Sequence, residues 1–184
     1  VINLAVGGYT TYDLMPDGYT PPTGRPTPKI SANITKALSY DPKAIIINLP
    51  SNDVTQGFAI SEQLENYDTI LANADAKNIP IWISTTQPRN LTETQRLQQM
   101  EVRDSTYSKF KNFAIDFWTD LANADGTINS NFDSGDGVHL NDAGHRILFN
   151  RVVDEKIYEQ AILTSVNKYF EIVPSKFELA QNYP

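Results

Sequence analysis

The sequence predicts an α/β domain built on a parallel sheet, and three observations lead there. Short, β-rich apolar runs alternate with longer stretches of helical period, each run ends in Gly, Pro or polar residues, and no repeat or low-complexity tract interrupts the pattern. The chain has 184 residues, 40% hydrophobic and 10% aromatic, which is enough for one domain with a buried core.

Four runs read as strands: Val1–Val6, Ala44–Leu49, Ile79–Ser84 and Phe113–Phe117, each too short for a helix. Between them, Ile30–Ser39, Ser61–Lys77 and Thr92–Asn112 keep apolar residues three and four apart, as in Leu64, Tyr67, Ile70, Leu71 and Ala74, so they read as covering helices. A last amphipathic stretch runs from Asn141 to about Tyr169 behind the cap-like pair Asn141-Asp142, with Ile147, Leu148, Val152, Ile157, Ala161 and Ile162 on its apolar face. Thr20–Pro28 holds four prolines and Gly24 and reads as a loop, not a domain linker. Residues 1–170 are thus expected to form one domain, with 171–184 as a tail.

A net charge of -7 excludes recognition of a phosphate backbone through a broad basic surface, so no nucleic-acid partner is expected. With no cysteine, disulfides, thiolate metal sites and cysteine nucleophiles are excluded, while both secreted and cytosolic settings stay open. No run of about 18 apolar residues reads as a membrane span. Val1–Gly8 lacks a basic leader and a starting Met, so the N-terminus is expected to be cut.

In doubly wound sheets, ligands sit beyond the carboxyl ends of the strands, so polar residues directly after strands are the candidates for chemistry. Three places qualify: Gly7-Gly8-Tyr9-Thr10, Pro50-Ser51-Asn52-Asp53 and Asp136-Gly137-Val138-His139. Ester hydrolysis needs a base, an acid that orients it, and donors aimed at the oxyanion. Asp136 and His139, three apart in a Gly-containing loop, would set a carboxylate against imidazole Nδ1 and leave Nε2 for a serine. Asn52 and the Gly8 backbone N–H would donate to the oxyanion.

These segments resemble the SGNH/GDSL hydrolase family. Asn3-Leu4-Ala5-Val6-Gly7-Gly8 looks like its second block, Ser51-Asn52-Asp53 like its third, and Asp136-Gly137-Val138-His139-Leu140-Asn141 with Gly144-His145 like its fifth, over roughly residues 1–165. The resemblance implies a three-layer α/β/α flavodoxin-like sheet of parallel strands, with Gly8 and Asn52 as oxyanion donors and Asp136 and His139 as triad acid and base. Two departures stand out. Pro50 replaces the glycine that opens the third block, which changes the loop path or its donor set. The first block, a Gly-Asp-Ser segment after the first strand, has no counterpart, so the first strand and the nucleophilic serine are expected to be missing from this chain and supplied by an N-terminal fragment. Without that strand, the facing ladder edges of Val1–Val6 and Ala44–Leu49 are left unpaired.

Other readings stay open. Asp133 is an alternative acid, with Asp136 then a turn residue, whereas His145 reads as a helix-capping or packing residue. Asn52 alone would make an Asx-turn, and Gly8 would serve a tight turn. Tyr9, Thr10, Tyr12 and Arg89, the last within Thr85-Thr86-Gln87-Pro88-Arg89, are candidates to line a substrate cleft. No metal-ligand spacing and no phosphate loop appears, so no cofactor is expected.

Phe177–Pro184 resembles the opening of the C-terminal sorting domains of type IX-secreted bacterial proteins, which implies a secreted or cell-surface location. The expected function is a serine esterase working through an acyl-enzyme on small acyl esters of carbohydrate. The alternatives are a lipolytic acylhydrolase and a non-catalytic glycan-binding or adhesion module.

Overall fold

A computed structural model describes residues 1–49 and 51–163. Three parallel strands form one sheet in the order β1 (Ile45–Ile47), β2 (Ile81–Ser84), β3 (Ala114–Ile115), with Ile45 beside Ile81 and Ile83 beside Ala114. Each strand lies inside an expected run and is shorter than it. All four residues of β2 are buried, as a central strand covered on both faces should be.

The fourth expected strand does not form: Val1–Val6 is irregular, with Val1, Ile2 and Val6 exposed. β-Branched residues favour extension, but a strand also needs a ladder to pair with, and this segment pairs with none. β1 is therefore an edge, and its middle residue Ile46 is 44% exposed while Ile47 beside it is buried.

Helices account for the covering layers. Asn33 caps α1 (Ile34–Leu38) by accepting from Lys36 N at 2.9 Å. Two longer helices follow, α3 (Ile60–Asp75) and α4 (Glu93–Phe110). α4 opens with a reciprocal capping box, Thr92 with Gln95. The short α2 (Asn52–Thr55) and a 3-10 turn at Thr11–Leu14 lie in segments with no helical period. α5 (Asp142–Asp154) is capped by Asn141 and ends before Lys156, whose φ of 48° breaks the expected continuous helix; residues 157–163 are helical again. No helix among the described residues is long and apolar enough to cross a membrane.

Strand alternation divides the core into two layers. Ile81 and Ile83 face a cluster with Ile47, Tyr67, Ile70 and Phe110. Trp82 faces the other side, with Ile115, Phe117, Leu121 and Leu148 of α5. This is an α/β/α arrangement, and it brings the segments after β1 and β2, and the loop before α5, to one rim. The expected tail at 171–184, with the Phe177–Pro184 match, and Pro50 lie outside the described residues.

Candidate functional site

The Asp136–His139 loop is closed at its neck by an antiparallel bridge between Asp133 and Leu140. Ser134 N donates to His139 O at 2.9 Å and Asn141 N to Phe132 O at 2.8 Å, so the loop ends where α5 begins. Asp133 builds the interior: its Oδ1 accepts from Gly135 N at 2.8 Å and Gly137 N at 3.0 Å. It makes no such bond to the imidazole, so of the two candidate acids Asp136 is the one that meets His139. His139 Nδ1 lies 2.6 Å from Asp136 Oδ2.

Asp136 Oδ1 accepts from the backbone N–H of Val138 and of His139, both at 2.8 Å, and from Ser134 Oγ at 3.1 Å. The hydrogen bond from His139, then those from the two backbone amides, hold the Asp136 carboxyl far below the usual carboxylate range. An anion fixed on Nδ1 favours the tautomer with its proton there and leaves Nε2 as an acceptor. The imidazole is accessible, with 75% of its side chain exposed. His145 is exposed in the first turn of α5, and its N–H donates to Asn141 O as part of the helix.

The opposite side of the rim is assembled from distant segments. Val6 O accepts from Tyr9 N at 3.4 Å across a turn that places Gly8 at φ 84°, a conformation that favours glycine. Asn52 Nδ2 donates to Tyr9 O at 2.8 Å and pins that turn to the start of α2. Beneath it, Asp53 accepts from Thr11 Oγ1 at 2.6 Å and from Thr11 N at 3.1 and 3.2 Å. Asn66 Nδ2 of α3 donates to Thr11 Oγ1 at 2.9 Å. Burial pushes the Asp53 carboxyl up to about 6 against these hydrogen bonds, with the nearby Asp13 charge adding to the rise.

Thr10, an expected substrate contact, is 2% exposed and donates its hydroxyl to Asp13 Oδ2 at 2.7 Å, so it builds the turn and is closed to a ligand. Tyr12 is likewise buried, its hydroxyl 2.8 Å from Glu62. Tyr9 and Arg89 keep partial exposure, and Arg89 Nη1 donates to Ser51 Oγ at 3.2 Å. The sequence reading missed Asn90, which joins the two sides: its N–H donates to Gly137 O at 2.8 Å. Hydrogen bonds therefore run round the rim from Tyr9 to Asn52, from neighbouring Ser51 to Arg89, and from neighbouring Asn90 to Gly137, beside the Asp136–His139 pair.

Of the serines near the rim, Ser134 donates to Asp136, and Ser51 is buried as the cap of α2. A cleft of about 350 Å³ lies apart from the rim, between the Pro-rich loop and α3, where Arg25 and Glu62 pair at 2.6 Å. No group of three or more metal-ligating side chains occurs among the described residues.

Comparison with known proteins bears on the fold. Residues 1–147 match the sequence profile of the GDSL-like Lipase/Acylhydrolase family. No curated protein matches the sequence. Among solved structures, a Bacteroides fragilis protein described as an acylhydrolase aligns with a TM-score of 0.56 at 16% identity, over 69% of this chain and 66% of its own. A Desulfitobacterium hafniense protein described as a lipolytic member of the G-D-S-L family aligns at 0.55 and 18% identity, over 67% and 69%. A GDSL-like lipase from Bacteroides thetaiotaomicron aligns at 0.55 and 16%, over 71% and 67%. The chain thus spans about two thirds of the length of each structure, and at these identities the likeness is one of fold.

Proposed function

Because the chain belongs to the GDSL-like Lipase/Acylhydrolase family, we propose that it carries the acid–base pair and the oxyanion donors of a serine esterase working through an acyl-enzyme. The 2.6 Å contact between His139 Nδ1 and Asp136 carries this reading, since it supplies an oriented base with an accessible Nε2. In the reaction a serine hydroxyl loses its proton to His139 as its oxygen attacks the ester carbonyl carbon. The Gly8 N–H and the Asn52 amide stabilise the oxyanion. An amide nitrogen has two hydrogens, and Tyr9 O takes one. Collapse breaks the bond to the alcohol, which leaves with the proton from His139; water then repeats the sequence on the acyl-serine.

The nucleophile belongs on a strand seated against the open edge of β1, where Ile46 is exposed and Val1–Val6 has no ladder. That strand would come from a segment N-terminal to these residues. Short acyl groups on carbohydrate are the preferred substrates. The Pro-rich loop, the candidate for an apolar lid among the described residues, is tied by Arg25 to Glu62 of α3, which also accepts from the Tyr12 hydroxyl. Export to the cell surface or medium rests on the match at Phe177–Pro184. A glycan-binding role without catalysis is the second reading, separated from the first by serine labelling and turnover.

The test is covalent labelling of the natural protein by a fluorophosphonate together with hydrolysis of p-nitrophenyl acetate. Labelling at one serine, with turnover abolished by His139→Ala, is the expected result. Failure of both on natural protein refutes the esterase.

A further inference from the structure

We propose that the dipeptide Arg89–Asn90 is a positioning strap that fixes the spacing between the His139 loop and the oxyanion side, an inference that rests on the esterase reading. Arg89 reaches Ser51, the residue before Asn52, through the 3.2 Å bond to its hydroxyl. Asn90 holds the other side by three means. Its N–H donates to Gly137 O at 2.8 Å, its Oδ1 accepts from Ile128 N at 3.0 Å, and its side chain lies against Gly137. A Cβ added at Gly137 would sit 2.7 Å from Asn90 Nδ2 and 3.0 Å from Asn90 Cβ, at a residue whose φ is 70°. Gly137 is flanked by Asp136 and, two residues on, by His139, so this contact seats the acid–base pair.

The strap is anchored at both ends. Gln99 of α4, fully buried, donates to Thr86 Oγ1 at 2.9 Å and to the Gln87 carbonyl. Arg96 Nη1 donates to Leu91 O at 2.6 Å. A segment held before and after, and bonded outward to both halves of the rim, sets their separation. Small errors in the separation of base and oxyanion donors act on the chemical step more than on binding.

The experiment measures kcat and KM on p-nitrophenyl acetate for the full natural protein and for Arg89→Ala, Arg89→Lys and Asn90→Ala. The imidazole ¹⁵N shifts of His139 are recorded in a His145→Gln background and assigned by the signal that His139→Gln removes. Each alanine variant is expected to lower kcat about 10- to 100-fold with KM held within about twofold, and Arg89→Lys to restore part of the loss. Asn90→Ala should also move the His139 ¹⁵N shifts away from the Nδ1–H tautomer, whereas Arg89→Ala should leave them in place. Should Asn90→Ala fail to fold, Asn90→Asp, which keeps the acceptor for Ile128, takes its arm. A rise in KM alone for Arg89→Ala would make it a substrate contact, and unchanged kcat and ¹⁵N shifts in the Asn90 variants overturn the strap. If the wild type neither turns over nor labels, the esterase reading fails separately, and the ¹⁵N shifts still decide the seating of His139.

Discussion

The two sides of the rim are built in opposite ways. The Asp136–His139 side is local: the carboxylates of Asp133 and Asp136 accept from groups two to four positions away, inside a loop closed by Asp133 and Leu140. The Gly8–Asn52 side depends on bonds across the chain, from Asn52 to Tyr9, separated by 43 positions, and from Thr11 to Asp53, separated by 42. Local construction holds the acid–base pair together within its loop, which the Asn90–Gly137 contact then seats, while the oxyanion side exists only when the domain is folded. Damage to the first should appear as lost activity, and damage to the second as lost stability.

The sharpest test of that contrast is Asp136→Asn, which keeps the loop's shape and removes the anion. Turnover is expected to fall by about 10³- to 10⁴-fold in steady-state assays, with little change in thermal midpoint. Next, Asp133→Ala, which leaves the Gly135 and Gly137 amides without their acceptor, should lower kcat by about tenfold to a hundredfold through misplacement of His139. A drop in thermal midpoint as large as that of a core mutant would break the comparison.

On the other side, Thr11→Val removes the hydroxyl that Asp53 accepts from and that Asn66 donates to. Leaving such buried groups unpaired should cost about 1–3 kcal/mol in denaturant unfolding. The smallest effect is a slope. The folded-state value of Asp53, about 6, lies above the ordinary 3.8, so the folded protein keeps that proton longer than the unfolded chain. Its contribution to stability is therefore full below about pH 4 and lost as pH rises through about 6. Asp53→Asn should flatten the wild-type decline in unfolding free energy across that window, and an unchanged slope would contradict the burial of a titrating carboxyl.

The same contrast explains what could be read in the sequence. Ile81-Trp82-Ile83 announces a buried strand because its neighbours on both faces are apolar, and Thr92 with Gln95 announces a helix start. Asp136 and His139 were legible because their relation is contained in four consecutive residues. Val1–Val6 misled because β propensity says nothing of whether a partner edge is present. The short α2 and the 3-10 turn carry no periodicity to detect. Asn90 and Asp133 look like ordinary turn residues; their partners, Ile128 and the amides of Gly135 and Gly137, are known only once the loops are folded together. Thr10 illustrates the reverse error, a polar residue after an apolar run that ends up buried on Asp13.

The neck at Asp133 and Leu140 also bears on how this loop tolerates change. Because Asn141 both caps α5 and donates to the carbonyls of Asn131 and Asp133, the ring's exit is locked to the helix axis. Residues inserted inside the ring, between Ser134 and Gly135, would break the bond from Gly135 N to Asp133 but enlarge the ring without pulling on α5. A single residue inserted between Leu140 and Asn141 would instead rotate the helix start by about 100° relative to the neck and unseat Leu148 from the core. Variation in length is thus expected to accumulate inside the ring, beside the acid–base pair, and to be absent at the hinge behind it.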